Sequence, residues 1–235
     1  MENPPAIQAA DLRKTFRDFW QRPRVEAVRG ISFAVPAGQV FGLLGPNGSG
    51  KSTTIKMILG LLFPTAGSLE VLGDSPRSVA VKNRIGYLPE ESYLYPHLTP
   101  LETLAFYARL FRLPSAVARE RIEQLLEMIG LAHARNRPVG EFSKGMARRI
   151  GLAQALLNDP DLVILDEPTA GLDPQGTRQV KDLILALAAR GKTVLLTSHL
   201  LADVEDVCAQ VAILFNGHIL AHGPLDALLA QKDKT

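Results

Sequence analysis

The sequence predicts an α/β chain in two parts: a core built on a parallel sheet with an antiparallel β segment at its N-terminal end, and an inserted α-helical subdomain. Three observations predict it. Strand-like apolar runs occur toward both ends of the chain and alternate with helical patterns, which calls for a parallel sheet with right-handed crossovers. The middle of the chain instead carries helix caps and helical periodicity. A length of 235 residues buries about 70% of the unfolded surface, so no disulfide or metal staple is needed. The expected division is a core of 1–86 and 160–235 around a helical subdomain of 87–159.

Each element has its own signal. Glu26 to Val35 reads as a β segment, and Gly38 to Leu44 as the next, separated by Pro36-Ala37-Gly38. The second closes on a solid apolar run, as a strand buried on both faces does. A glycine-rich loop follows, then a helix from about Ser52 to Leu62 that Pro64 is expected to stop. Thr99-Pro100-Leu101-Glu102 combines a capping box with proline at the first helical position. Ser115 opens a second insert helix, ending at Gly130, and Ser143 a third. On that third helix Met146, Ile150, Ala153 and Leu157 form one apolar stripe, and Asn158-Asp159-Pro160 ends it. Strand runs return at Leu162 to Leu165 and Thr193 to Leu196, with a helix from near Pro174 to Gly191 between them. Val211 to Phe215, Asn216-Gly217 and His218 to Ala221 read as a hairpin with a tight turn.

Composition removes several function classes. Apolar residues make up 46% and charged residues 21%, with a net charge of +2, which argues against disorder and against a nucleic-acid binder that relies on a large positive field. Cys208 is the single cysteine, so an intrachain disulfide and a cysteine-rich zinc cluster are excluded. Met1 to Ala10 contains Glu2, Asn3, Pro4 and Pro5 without an apolar stretch, unlike a signal peptide. Apolar runs such as Met57 to Phe63 fall far short of the roughly 20 residues of a spanning helix. The expectation is an intracellular chain that meets a membrane only through a partner.

The strongest motif is Gly45-Pro46-Asn47-Gly48-Ser49-Gly50-Lys51-Ser52-Thr53, which satisfies G-x-x-x-x-G-K-[ST] between a buried strand and a helix. Glycines let backbone N–H groups approach phosphate oxygens with no Cβ in the way. The helix N-terminus adds its dipole, Lys51 neutralises the β/γ-phosphates, and Ser52 can ligate Mg²⁺. With Gly near 7% of residues, the four fixed positions arise by accident in roughly 1% of chains of this length. Leu162-Val163-Ile164-Leu165 then ends in Asp166-Glu167. Adjacent strand residues point to opposite faces, so the two acids should have different tasks. Asp166 suits the hold on Mg²⁺ and Glu167 a base that polarises water. Together these residues point to nucleoside triphosphate hydrolysis on a P-loop NTPase core of the RecA-like kind.

From about Ile7 to Leu229 the chain resembles an ABC-type ATP-binding subunit, with bacterial exporter-type subunits the nearest in pattern. Phe142-Ser143-Lys144-Gly145-Met146 resembles the family's LSGGQ signature, with Lys144 and Met146 in place of the second Gly and the Gln. Gly171-Leu172-Asp173 resembles the D-loop, and Thr197-Ser198-His199 the switch-histidine segment. The resemblance implies ATP and Mg²⁺ as ligands and an antiparallel dimer with a second ATP-binding subunit, a further copy of this chain being the expected partner. Ser143 and Gly145 would contact the γ-phosphate across that dimer, Asp173 would line the nucleotide at the interface, and His199 would reach the γ-phosphate and Glu167.

Two positions depart from the pattern. The aromatic residue expected under adenine fits Phe16, but Arg17 to Arg24 looks like a small insertion, so Phe19 and Trp20 are rivals. In Ile85-Gly86-Tyr87-Leu88-Pro89-Glu90-Glu91 the Q-loop glutamine is replaced by Glu90, a carboxylate still able to ligate Mg²⁺ or its water. By the same resemblance a separate integral membrane permease supplies the transport path, and its cytoplasmic helix docks near Glu90 to Pro100, with Tyr93, Leu94 and Tyr95 as apolar contacts. The chain would sit on the cytoplasmic face of the membrane, with no nucleic-acid partner. Its end soon after Leu229 predicts no attached regulatory domain. A soluble ABC-type ATPase acting on ribosomes or DNA is the alternative. It usually has tandem ATPase units, coiled coils or zinc inserts, and this sequence shows none.

Overall fold

The structure is a computed structural model that describes residues 4–20 and 22–232. Strands β1 (Ile7–Arg17) and β2 (Pro23–Val35) form an antiparallel hairpin. Strand β3 (Val40–Leu44) leaves for a second sheet, and after helix α1 (Lys51–Ile58) strand β4 (Ala66–Val71) returns to pair with β1. The smaller sheet therefore runs β2-β1-β4.

The second sheet adds β5 (Ile85–Leu88), reached through the short helix α2 (Val79–Lys82), then β6 (Leu162–Leu165), β7 (Thr193–Ser198), β8 (Gln210–Phe215) and β9 (His218–Pro224). Its order is β5-β6-β7-β3-β8-β9, parallel except for β9, which turns back on β8. The turn between them is the expected tight one: Asn216 and Gly217 lie at φ 47° and 81°, the left-handed pair that matches strand twist. Helices α3 (Pro100–Leu110), α4 (Ser115–Met128) and α5 (Lys144–Leu156) lie between β5 and β6 in the chain, α6 (Pro174–Ala189) links β6 to β7, and α7 (Leu225–Lys232) follows β9.

The central strands are buried on both faces, and their alternation builds two cores. Val40, Leu44, Val163, Leu165, Val194 and Leu196 face a core shared with α4, α5 and α6. Phe41, Leu43, Leu162, Ile164 and Leu195 face the opposite core, closed by the smaller sheet and α1. Burying one such side chain contributes roughly 1.5–3 kcal/mol.

Local expectations needed two adjustments. Helix α1 ends at Ile58, well before Pro64, because Gly60 adopts φ 65° and lets the Leu61 N–H donate back to the Lys56 carbonyl at 2.9 Å. Ser115 opens α4 as expected, with Pro114 in the cap position before it. Strand β5 pairs with β6 through Leu88, so the sheet runs two residues past the expected 86/87 boundary. The insert caps behave as anticipated: Thr99 and Glu102 exchange both capping-box bonds, and the Ser143 hydroxyl accepts from the Met146 N–H at 3.2 Å.

Candidate functional site

Strands β5, β6, β7 and β3 are neighbours and parallel, so the segments after their C-terminal ends meet at one sheet edge. Ligands of open α/β sheets bind there. β3 delivers the loop 45–50, β6 delivers Asp166 and Glu167, β7 delivers His199, and β5 delivers Pro89 and Glu90.

The loop after β3 is shaped by glycine. Gly45, Gly48 and Gly50 lie at φ 150°, 79° and 109°, which side-chain-bearing residues rarely adopt. A Cβ at Gly45 would sit 2.2 Å from the Leu214 carbonyl oxygen, and at Gly50 2.7 Å from that of Ala27. A Cβ at Gly48 would meet nothing within 4 Å, so the backbone there is open to an approaching ligand. Residues 46–53 together with Phe16, Val25 and Ala27 line a cavity of about 330 Å³. Phe16 is thus the aromatic residue beside the loop. Phe19 and Trp20 lie at the tip of the β1–β2 hairpin, 89% and 72% exposed, and do not line the cavity. The strand register, with shifts on either side of Thr15 and Phe16, decides which aromatic turns inward.

The two acids sit just past the end of β6 rather than on it, so strand alternation is not what separates them. Glu167 adopts φ 47°, a left-handed conformation that costs a non-glycine residue about 1–3 kcal/mol and tends to occur at functional sites. The Thr197 hydroxyl holds both acids: it donates to Asp166 Oδ1 at 2.6 Å and accepts the Glu167 N–H at 2.9 Å. Glu167 Oε2 lies 2.9 Å from His199 Nδ1, and Oε1 lies 3.5 Å from Lys51 Nζ. The Lys51 ammonium donates to the Gly45 carbonyl at 2.6 Å. Buried Glu167 Oε1 and Ser49 Oγ have no hydrogen-bond partner among the described residues. A carboxylate held this way can accept a proton from water, and an ammonium resting on loop carbonyls can swing to a phosphate. The orphaned hydroxyl, the open glycine backbone and the helix N-terminus fit a phosphate chain.

Arg148, on α5, was not legible as a functional residue. The residue is 7% exposed and its guanidinium faces five backbone carbonyls. It donates to Pro89 O, to Glu90 O at 2.8 Å, to Asp166 O at 2.5 Å, to Glu167 O at 2.9 Å and to Pro168 O at 3.2 Å. Burial pushes its pKa down to about 10, against the pull of Asp166 and Glu90, so it stays charged at neutral pH. One side chain thereby ties the signature helix to the turn after β5 and to the acid turn after β6. Thr197 and Arg148 act on residues distant in the chain, and local pattern carries no sign of that.

The signature and D-loop residues gather elsewhere. Ser143 caps α5, and Asp173 caps α6 by accepting the Gly176 N–H at 2.7 Å. A Cβ at Gly145 would be 3.9 Å from Leu172 Cδ2, and Lys144 Nζ lies 3.9 Å from the Cβ position of Gly171. Glu90, Lys144, Arg148 and Gly171-Leu172 line a second cavity of about 540 Å³. It shares no lining residue with the cavity beside Phe16. Within one chain, then, Lys51 and Lys144 line separate cavities.

Known proteins share this fold. The family model for ABC transporters matches residues 28–170. An uncharacterized ABC transporter ATP-binding protein of Nostoc sp. is 44% identical over 233 residues, covering 98% of this chain and 70% of that protein. Nod factor export ATP-binding protein I of Ralstonia nicotianae is 39% identical over 230 residues, covering 97% of this chain and 70% of the relative. Among solved structures, an ATP-binding subunit of an ABC transporter superposes with a TM-score of 0.82 at 32% identity, over 97% of this chain and 93% of its own. CbiO1 of Clostridium perfringens, described as part of the ABC transporter complex cbiONQ, superposes with a TM-score of 0.87 at 25% identity, over 99% and 93%. With a matched model over more than half its length and relatives aligned almost end to end, the chain belongs to the ABC transporter ATP-binding family, whose P-loop domains are ATPases.

Proposed function

We propose that the chain is the ATP-hydrolysing subunit of an export-type ABC transporter, working as a dimer on a separate membrane permease. The observation that carries this reading is the convergence of the glycine loop, Lys51, Glu167 and His199 at one sheet edge. Export is favoured by the relatives named as Nod factor export proteins. A permease partner is favoured by the likeness to a subunit of the cbiONQ complex, and no helix among the described residues is long and apolar enough to cross a membrane.

In this reading adenine stacks on Phe16 and the phosphates lie along Gly45 to Thr53, with Lys51 leaving the Gly45 carbonyl for the β/γ-phosphate oxygens. Ser52 and Asp166 would hold Mg²⁺, with Glu90 a further oxygen donor; the ion, when bound, offsets phosphate charge. Glu167 takes the proton of the attacking water. His199 Nδ1 holds that carboxylate in place and leaves the other ring nitrogen for the γ-phosphate. By the family resemblance Ser143, Gly145 and Asp173 would meet the nucleotide of a second copy, and ATP would act as the ligand that closes the dimer.

Two substitutions probe this assignment. Phe16→Ala should weaken ATP binding by about 1–3 kcal/mol, the worth of one base–aromatic stack, whereas Phe19→Ala should leave it unchanged in calorimetric titration. Glu90→Gln should keep ATPase activity within about tenfold, or 1.4 kcal/mol of barrier; a loss of a hundredfold in steady-state rate would show that the acid is required. The reading as a whole is tested with tagged Glu167→Gln protein and ATP–Mg²⁺ in detergent-solubilised native membranes. Co-purification of a multi-spanning protein is the expected result. Recovery of ribosomal or DNA-bound material without one would overturn it in favour of a soluble ATPase.

A further inference from the structure

The β1–β2 hairpin carries a feature that nucleotide binding does not use. At its tip the Asp18 N–H donates to the Arg22 carbonyl at 2.9 Å, and the Arg22 N–H donates to Asp18 Oδ1 at 2.9 Å. The Arg22 guanidinium closes the turn on Asp18 Oδ2 at 3.0 Å and lies 5.5 Å from the centre of the Trp20 ring. Phe19 meets Trp20 edge to face at 5.4 Å. The tip is thus a built turn, yet it holds its two largest apolar side chains outward, 89% and 72% exposed. An aromatic pair fixed in water by its own turn marks a contact surface rather than a packing residue.

The charge around the pair selects the occupant. At the tip itself, from residue 17 to 24, the three basic side chains Arg17, Arg22 and Arg24 stand against the single acid Asp18, while Arg13 and Lys14 further down are held by Asp11 and the Phe63 carbonyl. Tryptophan and phenylalanine suit the boundary between headgroups and acyl chains, and guanidinium groups suit anionic headgroups. Cytoplasmic loops of membrane proteins carry an excess of Lys and Arg, so a permease loop would present the hairpin with like charge. Anionic lipid is the better complement.

We propose that the β1–β2 hairpin tip is an interfacial anchor, with Phe19 and Trp20 entering the headgroup region of an anionic membrane and Arg22 and Arg24 contacting its phosphates. The contact is weak and reversible, because one hairpin buries little apolar area. It orients a subunit rather than anchoring it permanently. The inference does not depend on the direction of transport or on the identity of the permease.

Trp20 is the only tryptophan, so the intact chain reports on this tip by itself. Its emission is measured with vesicles of phosphatidylcholine alone and of equal parts phosphatidylcholine and phosphatidylglycerol, in the absence of any permease. A blue shift is expected with the anionic vesicles, with quenching by brominated lipid and reversal at high salt. Arg24→Gln should weaken the partitioning about fivefold, the usual worth of one basic side chain at an anionic surface. Phe19→Ser should weaken it further, and basal ATPase activity should be unchanged in both. Unchanged Trp20 emission with anionic vesicles overturns the proposal. So does an equal shift with phosphatidylcholine alone, or a shift that needs a permease in the vesicle, which would make the partner a protein.

Discussion

Glu167→Gln slows ATP hydrolysis by about 10²–10⁴, the range for loss of a general base, while nucleotide binding is kept or strengthened. The amide matches the carboxylate in shape, so the left-handed backbone at φ 47° and the contact with His199 are preserved. What disappears is the proton acceptor. The buried negative charge 3.5 Å from Lys51 disappears with it, and that charge otherwise competes with the phosphates for the ammonium. Binding and chemistry therefore separate in this variant, and an ATP-stabilised dimer accumulates that gel filtration resolves from the monomer. Steady-state phosphate release gives the rate. Retention of more than about a tenth of the wild-type rate, less than 1.4 kcal/mol in barrier, would mean that another group serves as base.

The parts of this molecule that local physics controls were readable in advance. Gly45, Gly48 and Gly50 had to be glycines because their backbone lies at positive φ, and Asn216-Gly217 because the turn between β8 and β9 needs two such residues. The solid apolar runs of β3 and β6 announced strands covered on both faces. Helix α1 stops at the left-handed Gly60 and not at the conspicuous Pro64. Elsewhere a long-range contact decides the outcome. Phe16, Phe19 and Trp20 are equivalent in composition, and only the irregular register of the hairpin turns the first toward the loop. The sequence places Thr197 in the switch-histidine segment, but its role as the joint between Asp166 and Glu167 depends on β6 and β7 lying side by side.

Arg148→Met should be the most damaging change outside the reacting groups. Its guanidinium reaches carbonyls of Pro89, Glu90, Asp166, Glu167 and Pro168, and each buried carbonyl left without a donor costs about 1–3 kcal/mol. Glu167 O keeps the Ala170 N–H at 3.1 Å, and removing a buried charge returns part of the loss through desolvation no longer suffered. A net destabilisation of about 3 kcal/mol is expected, lowering the thermal midpoint by roughly 6–12 °C for a chain of this size. A second effect is separable from the first. The strained turn at Glu167 persists only while its surroundings over-determine it, and the Arg148 bonds to Asp166 O and Glu167 O are among those constraints. At temperatures well below the new midpoint, with the protein folded, kcat should still fall by more than about tenfold as the Glu167 carboxylate leaves the His199 ring, while KM for ATP changes little because the loop 45–50 is not touched. Arg148→Lys keeps the charge, but one ammonium cannot span three segments, so it should fall between wild type and the methionine variant in both measurements. A methionine variant with its midpoint within about 2 °C of wild type, under about 1 kcal/mol, and with full kcat would show that the acid turn holds its shape without this side chain.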